Sequence, residues 1–327
     1  MRRIFRWMRR AAVVISAVLV ALWVFGPYEP APLTAGFDDS RLDKGITAHL
    51  KWREAQIEGI TEGVQKQVIW AGEAEAQTDW AVVYLHGFSA TSQEIRPVPD
   101  RVATALGANL VLTRLQGHGR GAQAMAQGTV AGWMDDTAEA LAVARKAGRR
   151  VLVIATSTGA TLAAAAALDP ALMEGVAGIV MVSPNFAVNN PAARLLTWPA
   201  ARYWMPLLAG TERSFTPLNA AQEKYWSTRY PSVAVMPMAA LVKAVGQADL
   251  GQAQVPALFI FSDADRVVDA AATRAAIAQW GGETAIWTPV LTDADDPSRH
   301  VIAGDIVSPA QTAPVAAQII QWSKGLQ

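Results

Sequence analysis

The sequence contains no cysteine. Disulfides, thiolate metal sites and a cysteine nucleophile are excluded together. The compartment stays open, because a thiol-free chain folds equally well under reducing or oxidising conditions. Net charge is missing too, since 28 Lys and Arg offset 28 Asp and Glu. A neutral chain has no overall electrostatic reason to seek nucleic acid, and that partner class drops out. Histidine is scarce: His49, His86, His118 and His300 are the whole supply. Any chemistry that needs an imidazole must use one of them. Apolar residues, by contrast, make up 52% of the chain, ample for a large core with an appendage or for two ordinary domains.

Acidic residues are absent from the first ten positions, which carry Arg2, Arg3, Arg6, Arg9 and Arg10. An uncharged run follows over residues 11–25, and Gly26-Pro27 breaks it. Basic flank, apolar run and breaker together describe a membrane-targeting segment over 1–26. The run falls short of the roughly 20 residues a full span needs. Trp7 and Met8 before it, with Trp23 and Tyr28 near its end, extend the apolar or interfacial contact. No good small-x-small cleavage site follows, and a cut after Val24-Phe25-Gly26 would leave Pro27 next to it. A retained anchor through residues 11–26 is therefore expected, with a cleaved signal and secretion as the alternative. Arginines stay on the cytoplasmic side, which places the rest of the chain across the membrane, in the periplasm if the source is bacterial. Residues 27–62 read as a linker rich in proline and glycine, then a polar amphipathic helix over 39–57.

From residue 63 onward, short β-rich runs alternate with alanine-rich stretches. Strands are expected over 67–70, 80–85, 109–113, 150–155, 178–182, 257–261 and 284–289. Helices are expected over 93–106, 132–147, 159–167, 270–280 and 310–323. Val151-Leu152-Val153-Ile154 is continuously apolar, as central strands covered on both faces are. The alternation argues for an α/β class protein with a mainly parallel sheet and helices on both faces. It fails once, where proline, tryptophan and methionine recur in a helical pattern. The expected layout is a core in two parts, 63–183 and 252–327, around an inserted helical cap over 184–251. Trp198, Trp204, Met205, Trp226, Met236 and Met238 of that cap are expected to help wall an apolar pocket.

The run from Val151 to Ala160 reads as strand, sharp turn and helix start, with Ser157 at the turn between Ala155 and Gly159. Small residues two before and two after are needed where strand and helix approach closely. Such a turn lifts the hydroxyl above the sheet at a helix amino end, where backbone amides favour developing negative charge. A helix-capping serine after a strand would look similar. Earlier, Leu85-His86-Gly87-Phe88 ends a strand, and its glycine turn can aim the Phe88 amide at the same point as the Thr158 amide, forming an oxyanion hole. His86, at the strand end, and His118, inside Gly117-His118-Gly119, read as structural residues near the site, as do Gly87 and Gly159. A base downstream of Ser157 can only be His300, and an acid between them falls in the loop after Phe259-Ile260-Phe261. Asp265, followed by Val267-Val268, is the expected acid, and Asp263 the alternative.

Taken in order, His86-Gly87, Gly117-His118-Gly119, Thr156-Ser157-Thr158-Gly159, Asp265 and His300 resemble the α/β-hydrolase superfamily over about residues 63–327, most closely its monoacylglycerol lipase and carboxylesterase branch. Departures are Ala155 in place of glycine, Leu115-Gln116 where a proline often precedes the glycine, and a long polar loop before His300. The resemblance implies the α/β-hydrolase fold and a Ser157–His300–Asp265 triad that works through an acyl-enzyme without a cofactor or metal. The implied partner is a small-molecule or lipid ester. Thioester or amide hydrolysis, other chemistry on the same fold, and a non-catalytic tethered binding protein are the alternatives.

Overall fold

Strand burial alternates strictly between two sets of side chains. In the computed structural model, which describes residues 2–326, Val83, Leu85, Val153, Ala155, Met181 and Phe259 belong to one buried cluster. Their chain neighbours Val82, Tyr84, Ile154, Val182 and Ile260 belong to another. A sheet with an apolar cluster on each face must be covered twice, and this one is.

Seven strands build it: β1 (Gln67–Ile69), β2 (Thr78–Leu85), β3 (Asn109–Leu112), β4 (Gly148–Thr156), β5 (Val176–Val182), β8 (Ala257–Ile260) and β9 (Thr284–Trp287). Their order is β1-β3-β2-β4-β5-β8-β9. Only β1 runs antiparallel, against β3, and the other five pairings are parallel. All seven expected strands are found. Helices α3 (Val98–Leu106) and α10 (Pro309–Ser323) pack together on one side. Helices α4 (Val130–Ala147), α5 (Thr158–Ala166) and α9 (Ala270–Gln279) lie on the other. Thr129 caps α4 by accepting the Gly132 N–H, and Gly107, at φ 61°, ends α3 in the left-handed conformation that glycine adopts without penalty.

Three sequence-based boundaries shift. The helix expected over 93–106 begins at Val98, because Pro97 and Pro99 lack the N–H groups that an earlier turn would use, yet fit a first turn. The helix expected over 39–57 is a 3₁₀ turn, Asp39–Leu42, and a separate α2 (Ile46–Ala55). Gly45, at φ 99°, breaks it. Residues 184–251 are not purely helical either. Beside α6 (Ala201–Ala209), α7 (Ala220–Tyr225) and α8 (Val235–Gln247) they contain a two-stranded antiparallel ribbon, β6 (Glu212–Ser214) with β7 (Arg229–Pro231).

The apolar amino terminus is one helix, α1 (Arg2–Phe25), which takes in the arginine flank and so exceeds the apolar run alone. Its stretch Arg3–Phe25 is long and apolar enough to cross a membrane. Residues 27–36 form no regular secondary structure, and α2 then packs into the core through Ile46 and Leu50. An ionic cluster bolts this segment down. Lys66, almost fully buried, reaches Asp136 at 2.5 Å and also Glu139, while His49 Nε2 meets Glu139 at 2.7 Å. Arg114 grips Glu54 with two 2.8 Å bonds. Burial pulls the Lys66 amine down, but the two carboxylates outweigh it and hold it above its ordinary value. Lys66→Met would leave Asp136 and Glu139 facing each other with only the part-exposed Arg53 guanidinium beside them, 3.7 Å from Asp136 and 3.1 Å from Glu139. Urea unfolding should then show a loss of about 3–5 kcal/mol.

Candidate active site

Ser157 sits where β4 turns into α5, at φ 51° and ψ −115°, a conformation that costs a non-glycine residue energy. Neighbouring backbone holds it there. Its N–H donates to the Val182 carbonyl at 2.9 Å, and its own carbonyl accepts from Thr161 and Asn185. Gly159 is required by the crossing: a Cβ there would lie 2.3 Å from the Leu85 carbonyl oxygen and 2.6 Å from that of His86. Ala155, in contrast, is accommodated fully buried within β4.

The three residues selected from sequence meet at the carboxyl ends of the strands. His300 Nε2 is 3.0 Å from Ser157 Oγ, and its Nδ1 is 2.8 Å from Asp265 Oδ2. The other carboxylate oxygen of Asp265 accepts the Val267 and Val268 N–H groups at 2.7 and 2.9 Å. All three side chains are buried. Asp263 is elsewhere: it is exposed and forked onto Arg274 at 2.7–3.0 Å. Burial lowers the His300 pKa, but the hydrogen bond and charge of Asp265, with Glu94 and Asp296 behind them, outweigh it and set the imidazole above its ordinary value. An imidazole oriented this way can accept the serine proton on Nε2 while the carboxylate holds its other proton in place.

Neither the Phe88 nor the Thr158 N–H donates a hydrogen bond among the described residues, and each follows the turn expected to aim it at the hydroxyl. His86 ties the first of these turns to the loop after β3. Its Nε2 accepts the Leu115 N–H at 3.1 Å, so the proton on Nδ1 faces the Gly87 carbonyl at 2.9 Å. Burial drives its pKa well down, and that of His118 to about 4. The two rings are tilted 58° to each other with centroids 5.1 Å apart, and the Phe88 ring is edge-on to His118.

Two carboxylates at the site escaped the sequence reading. Glu94 lies beneath the Gly87 turn, where its Oε2 accepts the Gly87 N–H at 2.7 Å and the Tyr84 hydroxyl at 2.9 Å. Tyr84 in turn meets Thr156, the residue before Ser157, at 3.2 Å. One buried carboxyl thus links both turns, and burial raises its pKa. Asp296 does similar work for the long polar loop, with Oδ2 accepting the N–H groups of His300 and Val301 at 3.0 and 2.7 Å. Nothing in their sequence neighbourhood singles these acids out among 28.

The cap meets the site through Phe88, which packs against a cluster containing Met205 and Met236, with Trp204, Tyr230 and Met238 beside it. Two cap residues expected in the wall lie outside that cluster. Trp198 turns to Trp23 of α1, and Trp226 packs with the core cluster that contains Ile302. A cavity of about 510 Å³ opens between cap and core, lined by Phe186, Asn189, Arg194, Lys243 and Asp269 among others, but by none of Ser157, Asp265 and His300.

Comparison with known proteins fits this architecture. The chain shares its fold with a structure from work on LipS and LipT, two metagenome-derived lipolytic enzymes: TM-score 0.63 and 17% identity over 81% of this chain and 99% of that one. A soluble variant of monoglyceride lipase from Saccharomyces cerevisiae, bound to a substrate analog, gives 0.57 and 13% over 81% and 93%. Monoacylglycerol lipase from Paleococcus ferrophilus gives 0.52 and 13% over 79% and 96%. No curated protein matches the sequence. A family model described as serine aminopeptidase, S33, matches residues 76–286. That span takes in Ser157 and Asp265 and stops short of His300. Covering more than half of the chain, it establishes that the protein belongs to this family of α/β-hydrolases.

Proposed function

We propose that the protein is a membrane-tethered serine hydrolase that cleaves carboxylic esters of small to medium or lipid-like acyl groups. The observation that carries this reading is the continuous chain Asp265–His300–Ser157, with links of 2.8 and 3.0 Å, ending on a strained serine at a helix amino end. His300 takes the Ser157 proton as Oγ attacks the acyl carbonyl. The Phe88 and Thr158 amides receive the oxyanion, and His300 returns the proton to the leaving alcohol. Water, activated by the same imidazole, then frees the acid. Covalent labelling by a fluorophosphonate probe tests the nucleophile. Parallel assays of aryl esters and aminoacyl anilides test the bond, since the family's description names an aminopeptidase and the same triad serves amides. Anilide turnover exceeding ester turnover would overturn the ester assignment.

The methionine-rich cluster over Phe88 supports an apolar acyl wall, since ligand pockets are mostly apolar with few polar groups. Shortening Met205 and Met238 to alanine should change the preference between long and short acyl chains about tenfold, while the smallest ester is turned over within about twofold of the parent. Equal effects on every chain length would show that these side chains only pack the cap.

A further inference from the structure

Helix α6 carries its apolar side chains on the wrong face for a helix in water. Ala201 and Met205, one turn apart, are buried against the cap. Tyr203, Leu207 and Leu208 are 68%, 83% and 78% exposed. A surface helix ordinarily turns charged and polar groups outward. The sole charged residue of α6, Arg202, is bound to Glu29 at 2.9 Å. Clusters of this kind mark interaction sites.

The position of α6 identifies what it meets. The last turn of α1 abuts the residues that lead into α6: the Trp23 and Trp198 rings are edge-to-face at 5.8 Å, and the Ala200 N–H donates to the Pro27 carbonyl at 2.8 Å. The approach is close enough that a Cβ on Gly26 would lie 2.6 Å from Pro199 Cβ. Helix α1, at 24 residues, is about 36 Å long, enough to cross a hydrocarbon layer of about 30 Å. Its end therefore marks the membrane surface. Nine residues of α6 reach only about 13 Å from that point, comparable to the depth of the headgroup region. Cations stand at the same end: Lys243 lies 5.6 Å over the Tyr28 ring, and exposed Arg194 is in the turn just before Trp198. An apolar face rimmed by basic groups is the pattern of a helix lying in a lipid interface.

We propose that the outer face of α6, through Tyr203, Leu207 and Leu208, is seated in the surface of the bilayer that α1 enters, so that the cap is held against lipid. The proposal rests on the reading of α1 as a retained membrane segment. Hydrolysis of a lipophilic ester then begins from the membrane phase, and the cap is the part of the enzyme that touches the substrate's reservoir.

The absence of cysteine makes the test clean, because each introduced thiol is unique. Full-length protein carrying Val18→Cys, Leu207→Cys, Leu208→Cys or Glu174→Cys would be labelled with an environment-sensitive fluorophore. It would then be reconstituted in phosphatidylcholine–phosphatidylglycerol vesicles with brominated acyl chains. Quenching at 18, 207 and 208, but not at 174 in the loop before β5, is the expected result. Quenching at 18 alone overturns the seating of α6 while the anchor stands. Quenching at none of the four overturns the anchor and the proposal together. Shielding at 207 and 208 that depends on protein density and not on bromine indicates a second copy of the chain and overturns the proposal. In assays, the double variant Leu207→Ser, Leu208→Ser should lower hydrolysis of a vesicle-borne long-chain ester at least about tenfold. Turnover of a water-soluble short ester should stay within about twofold of the parent. Equal losses on both substrates overturn it.

Discussion

Ser157→Ala abolishes fluorophosphonate labelling and lowers ester turnover by roughly 10⁶-fold: that is the expected result if the serine is the nucleophile. The fold should survive, because the Val182, Thr161 and Asn185 contacts that hold this turn are made by the backbone of residue 157 and not by its hydroxyl. Circular dichroism and an unchanged thermal midpoint would show that it has. His300→Ala should be about as damaging, and the double variant no worse than either, because a nucleophile and its base act as one unit. The pH profile adds a signed check. The base works only when neutral, and His300 is held above the ordinary histidine value, so the acid limb of kcat/KM should lie above pH ~6.5. Parent-level turnover by folded Ser157→Ala protein would remove the basis of the proposed mechanism.

The second large effect separates two aspartates two residues apart. Asp265→Asn should cost roughly 10⁴-fold in kcat. Its one remaining oxygen is claimed by the Val267 and Val268 N–H groups, which leaves the amide NH₂ facing His300 Nδ1. An NH₂ there must donate, so the imidazole proton moves to Nε2 and points at Ser157, where an acceptor is needed. Asp263→Asn should leave turnover within about twofold, because that carboxylate is exposed and engaged with Arg274. Steady-state kinetics on one aryl ester distinguishes the two. Comparable losses would mean that the acid has been misassigned.

What could be read from the sequence followed from periodicity and from scarcity. The strands were legible because several carry a continuous apolar run, and one such run, Val151 to Ile154, lies at the centre of the sheet. His300 was legible because one histidine follows Ser157 and no other. Its partner was less so: two aspartates share the loop, and it takes the 2.8 Å contact of Asp265 with His300, beside the fork of Asp263 onto Arg274, to tell them apart. Glu94 and Asp296 were illegible. Their bonds go to backbone N–H groups, a tyrosine and a serine hydroxyl, partners that leave no spacing rule in the chain. The ribbon β6–β7 was missed because its strands are three residues each, too short to show a period of two. The outward face of α6 was not read from the sequence, because it shows only once the exposure of Tyr203, Leu207 and Leu208 and the nearby end of α1 are seen together.

The order in which the chain delivers its parts carries a safeguard. Strand β8, whose following loop supplies Asp265, joins the sheet beside β5 only after an intervening excursion of more than 70 residues, and His300 comes later still. A polypeptide emerging amino end first, anchored by α1 as proposed, would expose Ser157 and the Phe88 and Thr158 amides long before His300 is made. Such a half-made centre is chemically silent: an un-ionised hydroxyl with no proton acceptor is a poor nucleophile. With Ser157, His300 and Asp265 as the proposed catalytic residues, competence would come only when the last strand and α10 close over the sheet. On the proposed reading of α1 as an anchor and of Ser157, His300 and Asp265 as the catalytic residues, the membrane would therefore never meet an active hydrolase while the chain is still in transit.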